Sequence, residues 1–347
     1  MNSDAQSWSF SRAFGLGAAL GMLALLVWLL IVVKSVVLLA MLAGLLAVLF
    51  DGGVRFMRQF LPIPRWSALL TLALTLVAVV FAATLLLSPR VAADINALSE
   101  RIPQALLQLE ETVRGIPWGR ESVAQLLELQ GSANVEQAFG RFLGFFSSVL
   151  GVVTGTLVVL VLGIFIASEP KVYVQGVIRL LPPASRARGG EIASAVGRGL
   201  RWWLIGRFAS IGLVFVFTWI GLLLLDVPLA FLLALIAGLL SFVPTFGPLV
   251  GAIPAVLVGL SAGPQQALWV ALLYLGIQVV ESYGVTPLIQ RRTVRLPPAL
   301  LVLFQLVMAV LAGVLGVLLA TPILVVLMVL VGTLYQEDRL GETTDLP

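Results

Sequence analysis

The sequence predicts an all-α, polytopic membrane protein with about five to six full spans and two proline-marked helical hairpins, about eight membrane segments or more, plus a small external region of amphipathic helices. Composition is the first reason. Of 347 residues, 60% are hydrophobic and only 11% charged, with a mean hydropathy of +1.09. A soluble domain is nearer about 45–50% apolar and about 25% charged. Second, apolar runs such as residues 14–33 and 144–167 exceed the roughly 18 residues that suggest a bilayer crossing. Third, SFVPTFGPLVGAIP (241–254) sets three prolines and two glycines between apolar flanks. Proline in a helix interior removes a backbone donor and clashes with the preceding turn, so this cluster breaks helix where the surrounding sequence is greasiest.

The elements follow in order from where Lys and Arg fall, since cationic short loops stay on the cytoplasmic side. The first apolar run, from Phe14, is longer than a signal-peptide core and lacks a clear cleavage site, so it reads as a retained helix. Lys34 and Ser35 interrupt it, which makes residues 14–50 a tight helical hairpin with both ends inside; one long tilted helix is the alternative. Arg55, Arg58 and Arg65 mark the inner loop, and a third span over 66–87 completes an N-terminal unit of residues 1–88. Residues 89–143 are the external region. Its mixed charge and the spacing of Ile102, Leu106, Leu107, Leu109 and Val113 suit helices in pieces, with Pro103 near a helix start. A fourth span over 144–168 returns inside. The basic cytoplasmic stretch 169–207, loop or helices, carries seven Lys/Arg against two Glu, and Trp202 and Trp203 suit an interface.

Residues 208–335 form the core. A fifth span, 208–225, emerges at Asp226, and residues 267–284 make one crossing down to the basic run QRRTVR (290–295). Residues 229–261 therefore start and finish on the same side. At about 1.5 Å per residue the arms of this hairpin reach about 24 Å and about 18 Å, marginal and too short for a hydrocarbon layer of about 30 Å. Its tip is Pro244, Thr245, Phe246, Gly247 and Pro248. Irregular backbone at membrane depth survives only where protein or water satisfies its amides and carbonyls. Residues 297–333 repeat the pattern from the opposite face with Pro322 in the descending arm, and the tail 336–347 is cytoplasmic. Two such hairpins entering from opposite sides are expected around a midplane site.

The chemistry open to this chain is narrow. It has no Cys and no His, which excludes disulfides, thiolate nucleophiles, Cys/His zinc sites and imidazole acid–base catalysis. No phosphate-binding P-loop pattern occurs, and the two lysines, Lys34 and Lys171, fall in predicted loops. No enzyme, cofactor or metal is expected. The net charge of +4 sits in short loops and reports topology rather than nucleic-acid binding.

Three blocks carry a family likeness: residues 195–260, which include SFVPTFGPLVGAIP; GIQVVESYGVTPLIQRRTVRLPPALLVLF (276–304); and LAGVLGVLLATPILVVL (311–327). The loop FIASEPKVYVQGVIRLLPP (165–183) adds to them. The chain resembles the AI-2E family, the autoinducer-2 exporter-like permeases of bacteria, over most of residues 10–335. The resemblance implies a multi-pass, homo-oligomeric transporter of the inner membrane; members are associated with export of small polar signalling molecules, some with sodium/proton exchange. It also implies roles for Pro244, Gly247 and Pro248, for Gln278, Glu281 and Pro287, and for Pro322. Two positions depart from it: Ser241 stands where members often have Asn, and Arg207 where a Gln commonly follows the Gly.

Glu281 is the most informative charge. A carboxylate at membrane depth costs several kcal/mol, so such groups face a cavity or a partner. It reads as an ion-coupling or substrate contact, or as a structural Glu paired with Arg207 or Arg291. Gln278, three residues earlier, shares its helical face or bridges helices. Arg207 lines the path beside that carboxylate, or snorkels from the first turn of its span. Residues 244–248 form a gate or an architectural turn. Gly151, Gly155 and Gly163 suit close helix packing. Together these predict a gradient-driven secondary transporter exporting a small polar solute or exchanging ions, in contact with the lipid bilayer and with both termini cytoplasmic. The alternative is a passive channel or a scaffold.

Overall fold

The computed structural model describes residues 33–114, 153–285 and 296–337, and among these the ordered elements are helices without a strand. Residues 14–32, the second half of the external region, the start of the fourth span, Pro287 with the QRRTVR run and its Arg291, and the tail from residue 338 lie outside the described residues. Among the described residues, four helices are long and apolar enough to cross a membrane, or five if one bent pair counts as a span.

Helix α1 (Val33–Phe60) includes Lys34 and Ser35 and continues through Asp51-Gly52-Gly53, so the loop expected after residue 50 is helical. The chain stops only at Leu61-Pro62-Ile63-Pro64, where two prolines remove donors. Helix α2 (Arg65–Arg114) is a single element of 50 residues, roughly 75 Å at the standard rise. The boundary read at residue 88 and the helix start read at Pro103 both fall inside it. Val91 and Leu98 from its second half are buried in the main core instead of standing apart in an external unit.

Helix α3 (Val153–Ser168) ends at Glu169, and α4 (Pro170–Arg179) leaves at 81° to it. A short 3-10 turn, Pro183–Ser185, leads into α5 (Arg186–Leu224). The second part of the basic stretch 169–207, expected as loop or helices, is thus the first half of a 39-residue helix. Nothing after Pro183 can stop it, because no further proline occurs before Pro228.

The broken pair expected over 229–261 is present as α6 (Ala230–Leu240) and α7 (Phe246–Leu260). At 11 and 15 residues they reach about 16 Å and about 22 Å, short of a full crossing. Helix α8 (Pro264–Val280) runs into a π-helical turn, Glu281–Val285. Helix α9 (Pro298–Val331) is broken at Gly313, whose φ of 60° and ψ of −142° leave the helical region. A β-carbon at Gly316 would overlap the Met308 carbonyl, so the chain folds back sharply across that glycine. This is the second hairpin, with its turn one residue before the expected VLG.

Two large cores are threaded by α5. Its second half, with Val214 and Leu222, packs with α2, α6, α7 and α8. Its first half, with Leu200, Trp203 and Leu204, packs with α1 and α9 and touches Phe242 of the α6–α7 break. Arg207 lies between these two clusters, level with the break. A third cluster joins α1, α2 and Ala167 of α3. At its edge Asp51 receives Arg55 at 2.8 Å, Arg65 at 2.5 Å and Arg201 at 3.1 Å, while Arg65 also donates to the Ala167 carbonyl. That carboxylate ties α1, α2 and α5 together at the arginine-rich end.

Candidate functional site

The site is the gap between α6 and α7, and its geometry follows from where five residues of backbone find partners. Leaving α6, the Ser241, Phe242 and Val243 amides bond back to Ala237, Leu239 and Leu240. The Ser241 hydroxyl donates to the Gly238 carbonyl at 2.6 Å. Pro244 has no donor to continue the ladder. Thr245 then takes φ 70° and ψ −59°, and the Phe246 amide donates to the Pro244 carbonyl at 2.8 Å. That combination is a γ-turn with positive φ at its centre, a rare and strained arrangement, more so for a β-branched residue. It costs on the order of 1–3 kcal/mol. The arms re-form at once because Gly247 lets the start of α7 touch the end of α6: a β-carbon there would overlap the Leu240 carbonyl and sit 3.1 Å from the Ser241 Cα. Pro248 falls within the first turn of α7, where its missing amide costs nothing.

Three side chains from three other segments close on this break. Arg207 of α5 donates to the Ser241 carbonyl at 3.0 Å. The same guanidinium nitrogen lies 3.7 Å from a Glu281 carboxylate oxygen at the start of the π-helical turn. Gln305, on the first arm of α9, donates to the Pro244 carbonyl at 3.2 Å. Trp203 packs edge-to-face on Phe242 with ring centroids 5.6 Å apart. The carbonyls that the helix break would strand are therefore met by an arginine and a glutamine reaching in from α5 and α9.

Arg207 is not a snorkelling anchor: its side chain is 17% exposed and that of Glu281 6%. Glu281 has the partner that the sequence named as one of two. Gln278 behaves otherwise. It donates to Ser282 on its own helix, one turn on, rather than toward Arg207 or the break. Thr245 is exposed at the tip and Pro244 half-buried. Pro322 is buried within the second arm of α9.

Gln305 was missed in the sequence reading. Its signal was a lone amide inside LVLFQLVMAV, an expensive place for a polar group unless it has work to do. It is 1% exposed, and its carbonyl oxygen has no hydrogen-bond partner among the described residues. Thr321 is likewise buried, with a hydroxyl that has no partner there. The two lie eight residues either side of Gly313, so the fold-back carries a polar group at the same level on each arm.

Comparison with known proteins fits this architecture. A family model described as "AI-2E family transporter" matches residues 20–336. The chain belongs to the AI-2E family. Among curated relatives it is 23% identical over 298 residues to "Putative transport protein YueF" of Bacillus subtilis (strain 168), covering 82% of this chain and 80% of that one. It is 23% identical over 296 residues to a "Putative transport protein" of Thermotoga maritima, covering 83% and 88%. It is 29% identical over 151 residues to "Putative transport protein YrrI" of Bacillus subtilis (strain 168), covering 44% and 43%. As a member of the AI-2E family with several long apolar helices, the protein is a multi-pass membrane protein of the transporter class.

Proposed function

We propose that this AI-2E family protein is a gradient-driven secondary transporter of the bacterial inner membrane, exporting a small polar solute or exchanging ions, with the α6–α7 break as its gate. Both termini are cytoplasmic in this reading, and the chain works as a homo-oligomer. The observation that carries it is the convergence of Arg207, Glu281 and Gln305 on a broken hairpin whose arms are each too short to cross. Buried ionisable pairs inside a membrane fold mark solute and ion paths more often than they stabilise.

The pathway residues are Pro244, Thr245, Phe246, Gly247 and Pro248 at the tip, with Glu281, Arg207 and Gln278. Pro287 and Pro322 shape the helices beside it. Arg207 holds the end of α6 through the Ser241 carbonyl while its charge is balanced by Glu281. A proton or a competing cation on Glu281 changes that balance, and the grip on the hairpin changes with it. The open acceptors of Gln305 and Thr321 supply polar lining for a solute or for water.

Reconstitution in liposomes tests the reading. A panel of small polar solutes is assayed with and without imposed proton and sodium gradients. Gradient-dependent flux that collapses in Glu281→Gln is the expected result. Robust gradient-driven flux unchanged in that variant removes Glu281 from coupling. Flux indifferent to both gradients makes the protein a passive channel, and no flux of any solute favours a scaffold.

A further inference from the structure

We propose that α4 is an in-plane anchor, a surface helix seated among the headgroups of an anionic membrane leaflet. It follows the α3 segment directly and turns 81° away from it, so a helix that leaves the bilayer is succeeded by one lying along the surface. Glu169 makes the corner with φ −133° and ψ 61°, and Pro170 opens the new helix. None of the ten residues of α4 is buried against the rest of the chain.

The helix is two-faced. Tyr173, Val177 and Leu180 fall on one side at the i, i+4, i+7 spacing, and they are 46%, 66% and 85% exposed. Lys171, Gln175 and Arg179 occupy the other side at i, i+4, i+8. The apolar face is not the face that packs. Leu181 and Ile178 rest against Gly189 and Gly190 at the start of α5, and Arg186 donates to the Leu181 and Arg179 carbonyls at 3.2 Å each. The pose is thereby fixed and the tyrosine–valine–leucine face is presented outward.

A bilayer surface is the occupant that fits. Interfacial helices combine a modest apolar face with a basic polar face, and an amphipathic ring such as Tyr173 settles at the headgroup level. Lys171 and Arg179, on the polar side, are long enough to bend toward lipid phosphates at the surface. The corner at Glu169 joins the helix to a segment that is itself apolar throughout, so the strip continues a lipid-facing surface. This inference rests on membrane insertion and not on what the protein transports.

The chain has no native cysteine, so single-cysteine variants report one site each. Val177→Cys, Leu180→Cys and Gln175→Cys are labelled with bimane in the full-length protein in phosphatidylglycerol/phosphatidylcholine vesicles. Labels at 177 and 180 should be quenched by nitroxide carried on lipid and lose most of their quenching by iodide, with 175 showing the reverse. Nitroxide on phosphatidylglycerol should quench more than on phosphatidylcholine, and Lys171→Gln with Arg179→Gln should bring the two to parity. Labels at 177 and 180 that are open to iodide and untouched by lipid nitroxide overturn the proposal, since the helix is then in water. Shielding from both quenchers overturns it too, because protein then covers the strip. Parity in the native chain overturns the anionic preference.

Discussion

The Arg207–Glu281 pair offers the sharpest test of the site, because its thermodynamics can be separated from its transport role. At 3.7 Å and an effective dielectric of about 20, the Coulomb attraction is about 4.5 kcal/mol, most of it offset by the desolvation of two buried charges. The pair as a whole is therefore close to neutral for stability, but each member alone is not. Arg207→Met takes the arginine away from the Glu281 carboxylate and also releases the Ser241 carbonyl; Glu281→Gln leaves a buried guanidinium with one hydrogen bond. Each single variant should lose about 3–5 kcal/mol. The double variant should be no worse than the poorer single one, giving a coupling energy of at least about 3 kcal/mol. Reversible unfolding in mixed micelles, followed by the emission of the eight tryptophans, measures all four corners of the cycle. A coupling below about 0.5 kcal/mol would refute the reasoning, since independent sites add to within that margin.

Three other substitutions probe the break, and a fourth, at Gly276, is a control away from it. Gly247→Ala should cost more than about 3 kcal/mol, or prevent folding, because the new methyl meets backbone that cannot give. Gly276→Ala, with open space around it, should be neutral or gain up to about 1 kcal/mol in the same unfolding assay. Thr245→Gly removes a β-branched side chain from φ 70° and should stabilise by about 1 kcal/mol after the entropy of the added glycine is subtracted. A loss of stability there would mean that the turn is not strained. Gln305→Leu should lose only about 1 kcal/mol, since the Pro244 carbonyl keeps the Phe246 amide. Thermal unfolding that drops as far as in Arg207→Met would show that the glutamine does more than clamp the tip.

The membrane architecture was legible because lipid imposes a blunt rule: long apolar stretches cross, and prolines mark where they fail. Residues 241–248 announced their own break, and the hairpin bookkeeping needed only the charges of short loops. The errors have a common physical origin. Lys34–Ser35 and Asp51-Gly52-Gly53 look like loops by polarity, yet neither contains a proline, and polarity alone does not end a helix. Polarity was answered by partners instead: Lys34 donates to the Leu311 carbonyl at the second hairpin, and Asp51 gathers three arginines. Pro103 misled in the opposite direction, since α2 runs through it. At the site, Arg207 and Glu281 could be paired on paper because both were conspicuous charges. Gln305 could not, because its meaning lies in a carbonyl 61 positions away, a distance that no periodicity reports.

The tip combines features that natural helices avoid, and their sizes are matched. The γ-turn at Thr245 stores on the order of 1–3 kcal/mol. The charge-assisted bond from Arg207 contributes about 1.5–3 kcal/mol, and the neutral bond from Gln305 about 1 kcal/mol. A segment whose strain nearly equals its restraint is poised. Under the proposed reading, a change of one charge at Glu281 reaches the tip through the Arg207 bond and shifts it by about that bond's contribution, roughly a 10- to 100-fold change in the held fraction. Had the same hairpin been closed by apolar packing, a proton or an ion would have had nothing to act on. A solute would then move the tip only by fitting it. Under that reading the buried pair, close to neutral for stability as a whole, makes the turn one that a change of charge can release.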